Sequence, residues 1–322
     1  MASELRLVEA IRETLGEELA RDEDAVLFGE DVGRTGGVFR ATDGLVDEYP
    51  DRVVDSPLGE SGIVGLGVGL AATGMTPIAE IQFQSFLYQG FAQLQQHVGR
   101  IRSRSRGTVT CPMTIRTPYG GGIHALEHHS ESFEAGFAHV PGLKVVIPGG
   151  PAEGKGLLTA AIRDPDPVVF MEPTRLYRAT RESVPDGEYT IPLGEARTVT
   201  EGDDVTVVAW GSMLQQTLAA TNRVDADVEV IDPRTIYPLD TETITESVRR
   251  TGRCVVVHEA PKTAGFAAEI VSRLTETAFY HLEAPPERVT GYDVPVPFFA
   301  REDDYLPDAG RIATGIERAV EQ

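Results

Sequence analysis

The sequence predicts an α/β protein with parallel sheets in two domains, and three observations carry that expectation. Short apolar runs alternate with stretches of ten to fifteen residues at helix spacing along most of the chain. The runs lack a polar/apolar alternation, as expected of strands covered on both faces. The rhythm breaks at residues 173–200, where prolines and polar residues gather. A chain of 322 residues also exceeds what one core usually fills. Residues 1–180 are therefore expected as the first domain, 181–200 as a linker and 201–322 as a smaller α/β domain.

Taken in order, the first segment places Leu5, Val8, Ile11, Leu15 and Leu19 at helix spacing, unlike the continuous core of a signal peptide. AVLFGEDV (25–32) reads as a strand, followed by the loop GRTGG and a helix near 40–48. RVVD (52–55), a glycine-rich helix from about 59, TPIAEIQF (76–83) and a helix over 86–102 repeat the pattern. TVTCPMTIR (108–116) reads as a strand, then come a loop containing Gly120–Gly122 and a helix over 129–138. LKVVIP, a helix over 152–163 and PVVFME complete the first half; DVTVVAWG, DVEVID and RCVVVHE, each followed by a helix, make the second. Sheets of this kind hold ligands beyond the carboxyl ends of their strands, so the residues just after each strand are the ones to search.

Composition excludes several functions. Fifty acidic against 29 basic side chains give a net charge of −21, and Lys144, Lys155 and Lys262 are the whole lysine complement. Such a surface repels nucleic acid and anionic lipid. It resembles the surfaces of salt-adapted proteins, where screening relieves self-repulsion. The longest apolar run, 63–72, is too short to span a bilayer. Cys111 and Cys254 are far apart and both read as strand residues, which suits a reducing cytoplasm better than a disulfide framework.

Residues 56–86 draw attention because Glu60 stands among small and apolar neighbours. A carboxylate there needs a partner, although a first-turn acid favoured by the helix dipole after Ser56-Pro57 is the simpler reading. GVGLAA (67–72) fits a loosened dinucleotide fingerprint but falls inside a helix, so its glycines are better explained by close packing, across a subunit interface for instance. GGPAEGKG (149–156) resembles a phosphate loop but lacks the Ser or Thr that would hold magnesium; a surface Lys155 on a proline-started helix is expected. His124, His128, His129 and His139 lack the further ligands of a zinc site and read as loop histidines, with catalytic use of at least one of them open.

Together, FGEDV with GGVF, SPLGESGI, AEIQF, TIRTPYGGG, HHSESFEAGFAHVPGLKVVIP, PLGEA, VIDPRT and LEAPPERVTGYDVPVP follow one another along nearly the whole chain. In this order they resemble the beta subunit of the thiamin-diphosphate-dependent decarboxylase component of 2-oxo acid dehydrogenase complexes. The resemblance implies a transketolase-like fold: a pyrimidine-binding domain followed by a C-terminal domain. It also implies an alpha2-beta2 tetramer in which the alpha subunit supplies the diphosphate and Mg2+ site; the chain lacks a G-D-G with its downstream Asn.

By the same resemblance, Glu60 bonds a ring nitrogen of the cofactor's aminopyrimidine, Phe86 stacks on that ring, and Gln82 is a polar neighbour. His129 matches the histidine that sits over the reactive carbon and assists the decarboxylated intermediate or acyl transfer to the lipoyl group of an acyltransferase. Thr114, Asp164 and Asp166 match a monovalent-cation site, K+ in some relatives. TIRTPYGG, EIQF, VVAWG and VHEAP look like the branched-chain enzymes, so branched-chain 2-oxo acids are expected, with pyruvate or acetoin dehydrogenase, or an inactive structural subunit of the same fold, as alternatives. Glu131 where Gln is usual, and Ala92 where Asp is common, depart from the family pattern without removing a proposed catalytic group.

Overall fold

The computed structural model describes residues 2–322. The chain forms two compact units, one containing the residues up to Tyr119 with Gly136–Leu193, the other Gly120–Ala135 with Gly194–Gln322. The excursion Gly120–Ala135 is invisible in the element rhythm, because nothing local tells a loop which core it will join.

In the first unit, strands β1 (Ala2–Leu5), β2 (Ala25–Gly29), β3 (Val53–Asp55), β4 (Thr76–Glu80), β5 (Thr114–Tyr119), β6 (Lys144–Val146), β7 (Val168–Pro173) and β8 (Glu182–Pro185) follow in sequence. Strands β2 to β7 run parallel in the order β6-β7-β5-β4-β2-β3. Both faces are covered, which is why β2, β5 and β7 are buried throughout. The helices Leu7–Arg21 and Pro151–Ile162 share one core, with Ile11, Leu15 and Leu19 among Leu157, Leu158 and Ala161.

In the second unit, β9 (Arg197–Thr200), β10 (Val205–Ala209), β11 (Val228–Asp232), the short β12 (Thr235–Tyr237), β13 (Cys254–Pro261) and β14 (Glu287–Gly291) follow. Their sheet runs β14-β13-β10-β11-β9, parallel except for the antiparallel edge strand β9. The helix Ala309–Glu321 packs Ile312 and Ile316 onto the valines of this sheet.

Several expectations need correction. The stretch read as a linker carries β8, which pairs antiparallel with β1, and β9; both are short polar edge strands with little pattern to betray them. The helix expected over 86–102 is broken into the turn Gln84–Tyr88 and the helices Phe91–Gln96 and Ile101–Arg104. Close approach enforces one interruption, since a Cβ on Gly99 would meet the Pro141 carbonyl oxygen at 2.7 Å. The strand at 108–116 starts only at Thr114, so Cys111 is buried but outside it, while Pro112 withholds a ladder donor. The helix expected from 129 begins at Glu134. Among the described residues no helix is long and apolar enough to cross a membrane.

Candidate active site

Strands β4, β2 and β3 are neighbours in the first sheet, so the segments that follow them emerge side by side. These segments hold Glu30 after β2, Ser56–Glu60 after β3 and Gln82–Phe86 after β4. Backbone and side-chain bonds tie them together: Ser56 N–H donates to the Gly29 carbonyl at 2.8 Å, and the Gln82 amide donates to Asp31 Oδ2 at 3.1 Å. The Ser61 hydroxyl donates to the Gln89 carbonyl. Glu60, Gln82 and Phe86, distant by up to 26 positions in sequence, therefore share one rim of the first unit.

Glu60 is the first residue of the helix Glu60–Ala72 and is 4% exposed. Gly59 before it takes φ +155°, a backbone that L side chains rarely adopt, and its N–H donates to Glu30 Oε1 at 3.1 Å. Glu60 Oε2 has no hydrogen-bond partner among the described residues. A buried carboxylate oxygen without a donor is costly, and a ligand nitrogen that shares a proton with it would remove the cost. Phe86 is half-buried, its ring edge-on to Phe83 at 5.6 Å, and Gln82 is half-buried beside it in sequence. The residues present fit an aminopyrimidine: an acid for a ring nitrogen, an aromatic face and an amide.

Glu30 was missed in the sequence. Burial raises its carboxyl above the ordinary range; the Gly59 N–H opposes this, and the Glu60 and Asp31 charges reinforce it. Its position directly after β2 was the available signal.

Beneath this rim lies a buried ionic cluster. Arg116 on β5, 1% exposed, donates Nε and Nη2 to Glu172 at 2.7 and 2.9 Å and Nη1 to Glu80 at 2.7 Å. The Tyr177 hydroxyl also donates to Glu172. Burial opposes the guanidinium charge, but the two carboxylates outweigh it and hold Arg116 firmly protonated; burial likewise raises Glu80.

The decoys resolve in detail. GVGLAA is inside the helix, where a Cβ on Gly67 would meet Met113 at 2.3 Å, whereas Gly62, Gly65 and Gly69 have open space beside them. Lys155 is not on the surface as expected: its ammonium is buried against Glu13 and Glu17 at 2.5 and 2.9 Å. That geometry withdraws it from any phosphate. Asp164 and Asp166 bind Lys144 and Arg102, each at 2.5 Å, so their charge is already matched; Thr114 Oγ1 is buried with no hydrogen-bond partner among the described residues. Among the described residues no group of three His, Cys, Asp or Glu is arranged to hold a metal.

His129 belongs to the second unit, in the segment Gly120–Ala135. Its Nδ1–H donates to the Glu127 carbonyl at 2.7 Å, which makes Nε2 the ring's accepting nitrogen. Nearby in that unit Trp210 stacks on the buried His258 at 5.3 Å, and burial drives the His258 imidazole down to about 3, so it stays neutral. Glu134 is fully buried, and burial, reinforced by the Glu259 charge, lifts its carboxyl to about 7. Its own N–H and the Trp210 indole pull the other way but lie outside hydrogen-bonding geometry.

A raised acid favours the protonated folded state, so its stabilising share is full below the unfolded value near 4.5 and is lost as pH rises through about 7. Glu134→Gln is expected to remove a stability decline of roughly 3 kcal/mol between about pH 4.5 and about pH 8. Denaturant melts of both proteins across that range measure it; parallel curves would refute the assignment.

Residues 3–180 match the family model "Transketolase, pyrimidine binding domain" and 194–312 match "Transketolase, C-terminal domain". Among curated relatives, the pyruvate dehydrogenase E1 component subunit beta of Acholeplasma laidlawii is 51% identical over 318 residues, 98% of this chain and 97% of the relative. The subunit of the same name from Staphylococcus aureus is 47% identical over 99% of this chain and 98% of its own length. A solved "split gene transketolase, inactive beta4 tetramer" covers 99% of each chain with TM-score 0.82 at 21% identity, a likeness of fold. The chain belongs to the family of E1 beta subunits of 2-oxo acid dehydrogenases, with a transketolase-like fold.

Proposed function

We propose that this chain is the beta subunit of a pyruvate dehydrogenase E1, a decarboxylase that works with an alpha subunit and passes its acyl group to a lipoyl acyltransferase. The observation that carries the reading is the orphaned Glu60 Oε2 on a rim shared with Gln82 and Phe86. Thiamin diphosphate, when bound, supplies the carbon nucleophile and the electron sink for decarboxylation. Glu60 exchanges a proton at Oε2 with the pyrimidine ring, Phe86 offers an aromatic face, and Gln82 borders the pocket while holding Asp31. His129 gives and takes a proton at Nε2 in the acyl-transfer half. The diphosphate and its Mg2+ belong to the alpha subunit. A K+ ion at the Thr114 site would rest on that hydroxyl and backbone carbonyls, given that the Asp164 and Asp166 charges are already paired.

The exposed face of the helix Glu60–Ala72, with Gly62, Gly69 and Leu66 at 48% exposure, supports burial against that subunit. The charge of −21 supports a salt-adapted environment, and the free, buried Cys111 and Cys254 support a reducing cytoplasm.

Branched-chain preference is not carried by the relatives, which are named as pyruvate dehydrogenase subunits. Two of the motifs behind that expectation have structural contacts of their own: Trp210 of VVAWG stacks on His258 of VHEAP, and Glu259 of the latter accepts the Gly121 N–H. Assaying the chain assembled with its alpha subunit tests the assignment. Pyruvate is expected to exceed 3-methyl-2-oxobutanoate and acetoin by at least about 10-fold in kcat/KM, the scale on which small apolar groups are discriminated. A preference for the branched acid would restore the other reading, and absence of turnover with every 2-oxo acid would favour the inactive subunit.

A further inference from the structure

In the segment Gly120–Ala135 the Gly120 N–H donates to the Glu131 carbonyl at 3.0 Å and the His129 N–H to the Leu126 carbonyl at 3.2 Å, and the rest of its course depends on residues elsewhere in the second unit. The segment opens on three glycines, has no helix before Glu134, and holds His124 and His128 at φ +53° and +66°. Contacts within the second unit must set its course, and two buried carboxylates supply them. Glu259 on β13 accepts the Gly121 N–H at 2.7 Å and the Ser212 hydroxyl at 2.8 Å. Glu302, at the start of the helix Glu302–Tyr305 and 1% exposed, accepts the His124 N–H on Oε2 at 2.6 Å and the Ser130 hydroxyl on Oε1 at 2.6 Å.

One carboxylate thus grips both ends of the stretch from His124 to Ser130, and His129 is the residue beside the second grip. The grip is also close-fitting, because a Cβ on Gly121 would meet Glu302 Oε1 at 3.0 Å and Leu306 at 3.0 Å. Inside the gripped stretch, the Glu127 carbonyl holds His129 Nδ1–H. The chain of bonds from Glu302 through Ser130 to the His129 backbone, with the ring tautomer fixed from within, is what a positioned proton-transfer group requires.

We propose that Glu302 is a positioning residue for His129, holding its loop through the His124 N–H and the Ser130 hydroxyl; this rests on the proposed role of His129 in acyl transfer. A methionine at 302 keeps most of the volume but offers an oxygen to neither donor, so both ends of the grip open, whereas a glutamine could keep both by accepting the His124 N–H and donating to the Ser130 hydroxyl.

The test uses the assembled alpha-beta protein and two readouts. In Glu302→Met, hydrogen exchange at the His124 amide is expected to quicken at least about 10-fold, by loss of its carboxylate acceptor. Turnover of pyruvate to a lipoyl-domain acceptor should fall about 10- to 100-fold in kcat with KM little changed, the scale set by a small misplacement of a reacting group. Ser130→Ala, which opens one grip and leaves the carboxylate, should give a smaller loss of the same kind, and Glu302→Asp should recover part of it. In a His129→Ala background, Glu302→Met should add less than about 2-fold. Additive losses, or unchanged exchange at His124, overturn the proposal with the role of His129 intact; a His129→Ala protein of undiminished acyl transfer overturns both.

Discussion

Glu60→Gln, in the protein assembled with its alpha subunit, is expected to lose about 10²- to 10⁴-fold in pyruvate turnover, the range that a positioned acid or base contributes. The substitution keeps the side-chain volume at the start of the helix Glu60–Ala72 and leaves Gly59 bonded to Glu30, so the fold is undisturbed. What it removes is the carboxylate oxygen Oε2, which has no donor among the described residues and which exchanges a proton with the cofactor in the proposed function. The glutamine N–H can still donate to a neutral ring nitrogen, so calorimetric binding of thiamin diphosphate should weaken far less than turnover. Retention of more than about a tenth of the turnover would remove Glu60 from the chemistry, since general acid or base catalysis at the low end of its range is already about 10². Glu30 lies close enough to raise the question of substitution, but its own carboxyl is raised by burial and by the Glu60 charge and is held by the Gly59 N–H. It is placed to share the site's charge rather than to replace Glu60.

Arg116→Met is expected to cost about 3 to 5 kcal/mol of stability, because it strands Glu80 and Glu172 in the interior without their cation. In a chain of this size each kcal/mol moves the midpoint by roughly 2 to 4 °C, so Tm should fall by roughly 10 °C. The loss should grow with pH, because burial already raises the Glu80 carboxyl and removal of the opposing Arg116 charge raises it further. Below that carboxyl's range Glu80 protonates and much of the penalty disappears. Replacing Arg116, Glu80 and Glu172 together by apolar residues of similar volume should recover most of the stability, a contrast that separates stranded charge from lost packing. Thermal melts of the single and triple variants at about pH 5 and about pH 8 measure it; a pH-independent loss equal in both variants would mean that packing, not charge, holds these strand ends.

The sequence by itself determined the alternation of parallel strands and helices, because a strand covered on both faces must be apolar throughout and a helix must repeat near 3.6 residues. It also singled out Glu60, since a lone acid between small apolar residues stands out locally, and it separated GVGLAA and GGPAEGKG from true nucleotide loops by position and by one missing hydroxyl. Three-dimensional packing decided what no local pattern carries. Glu30 joins Glu60 because β2 and β3 are adjacent in the sheet, a fact of strand order. Lys155 turns inward because Glu13 and Glu17 of a helix some 140 positions earlier meet it there. The segment from Gly120 to Ala135 joins the second unit because Glu259 and Glu302, far along the chain, hold its backbone. Periodicity records whether a residue is buried; only the order of strands and the long-range pairs record against what.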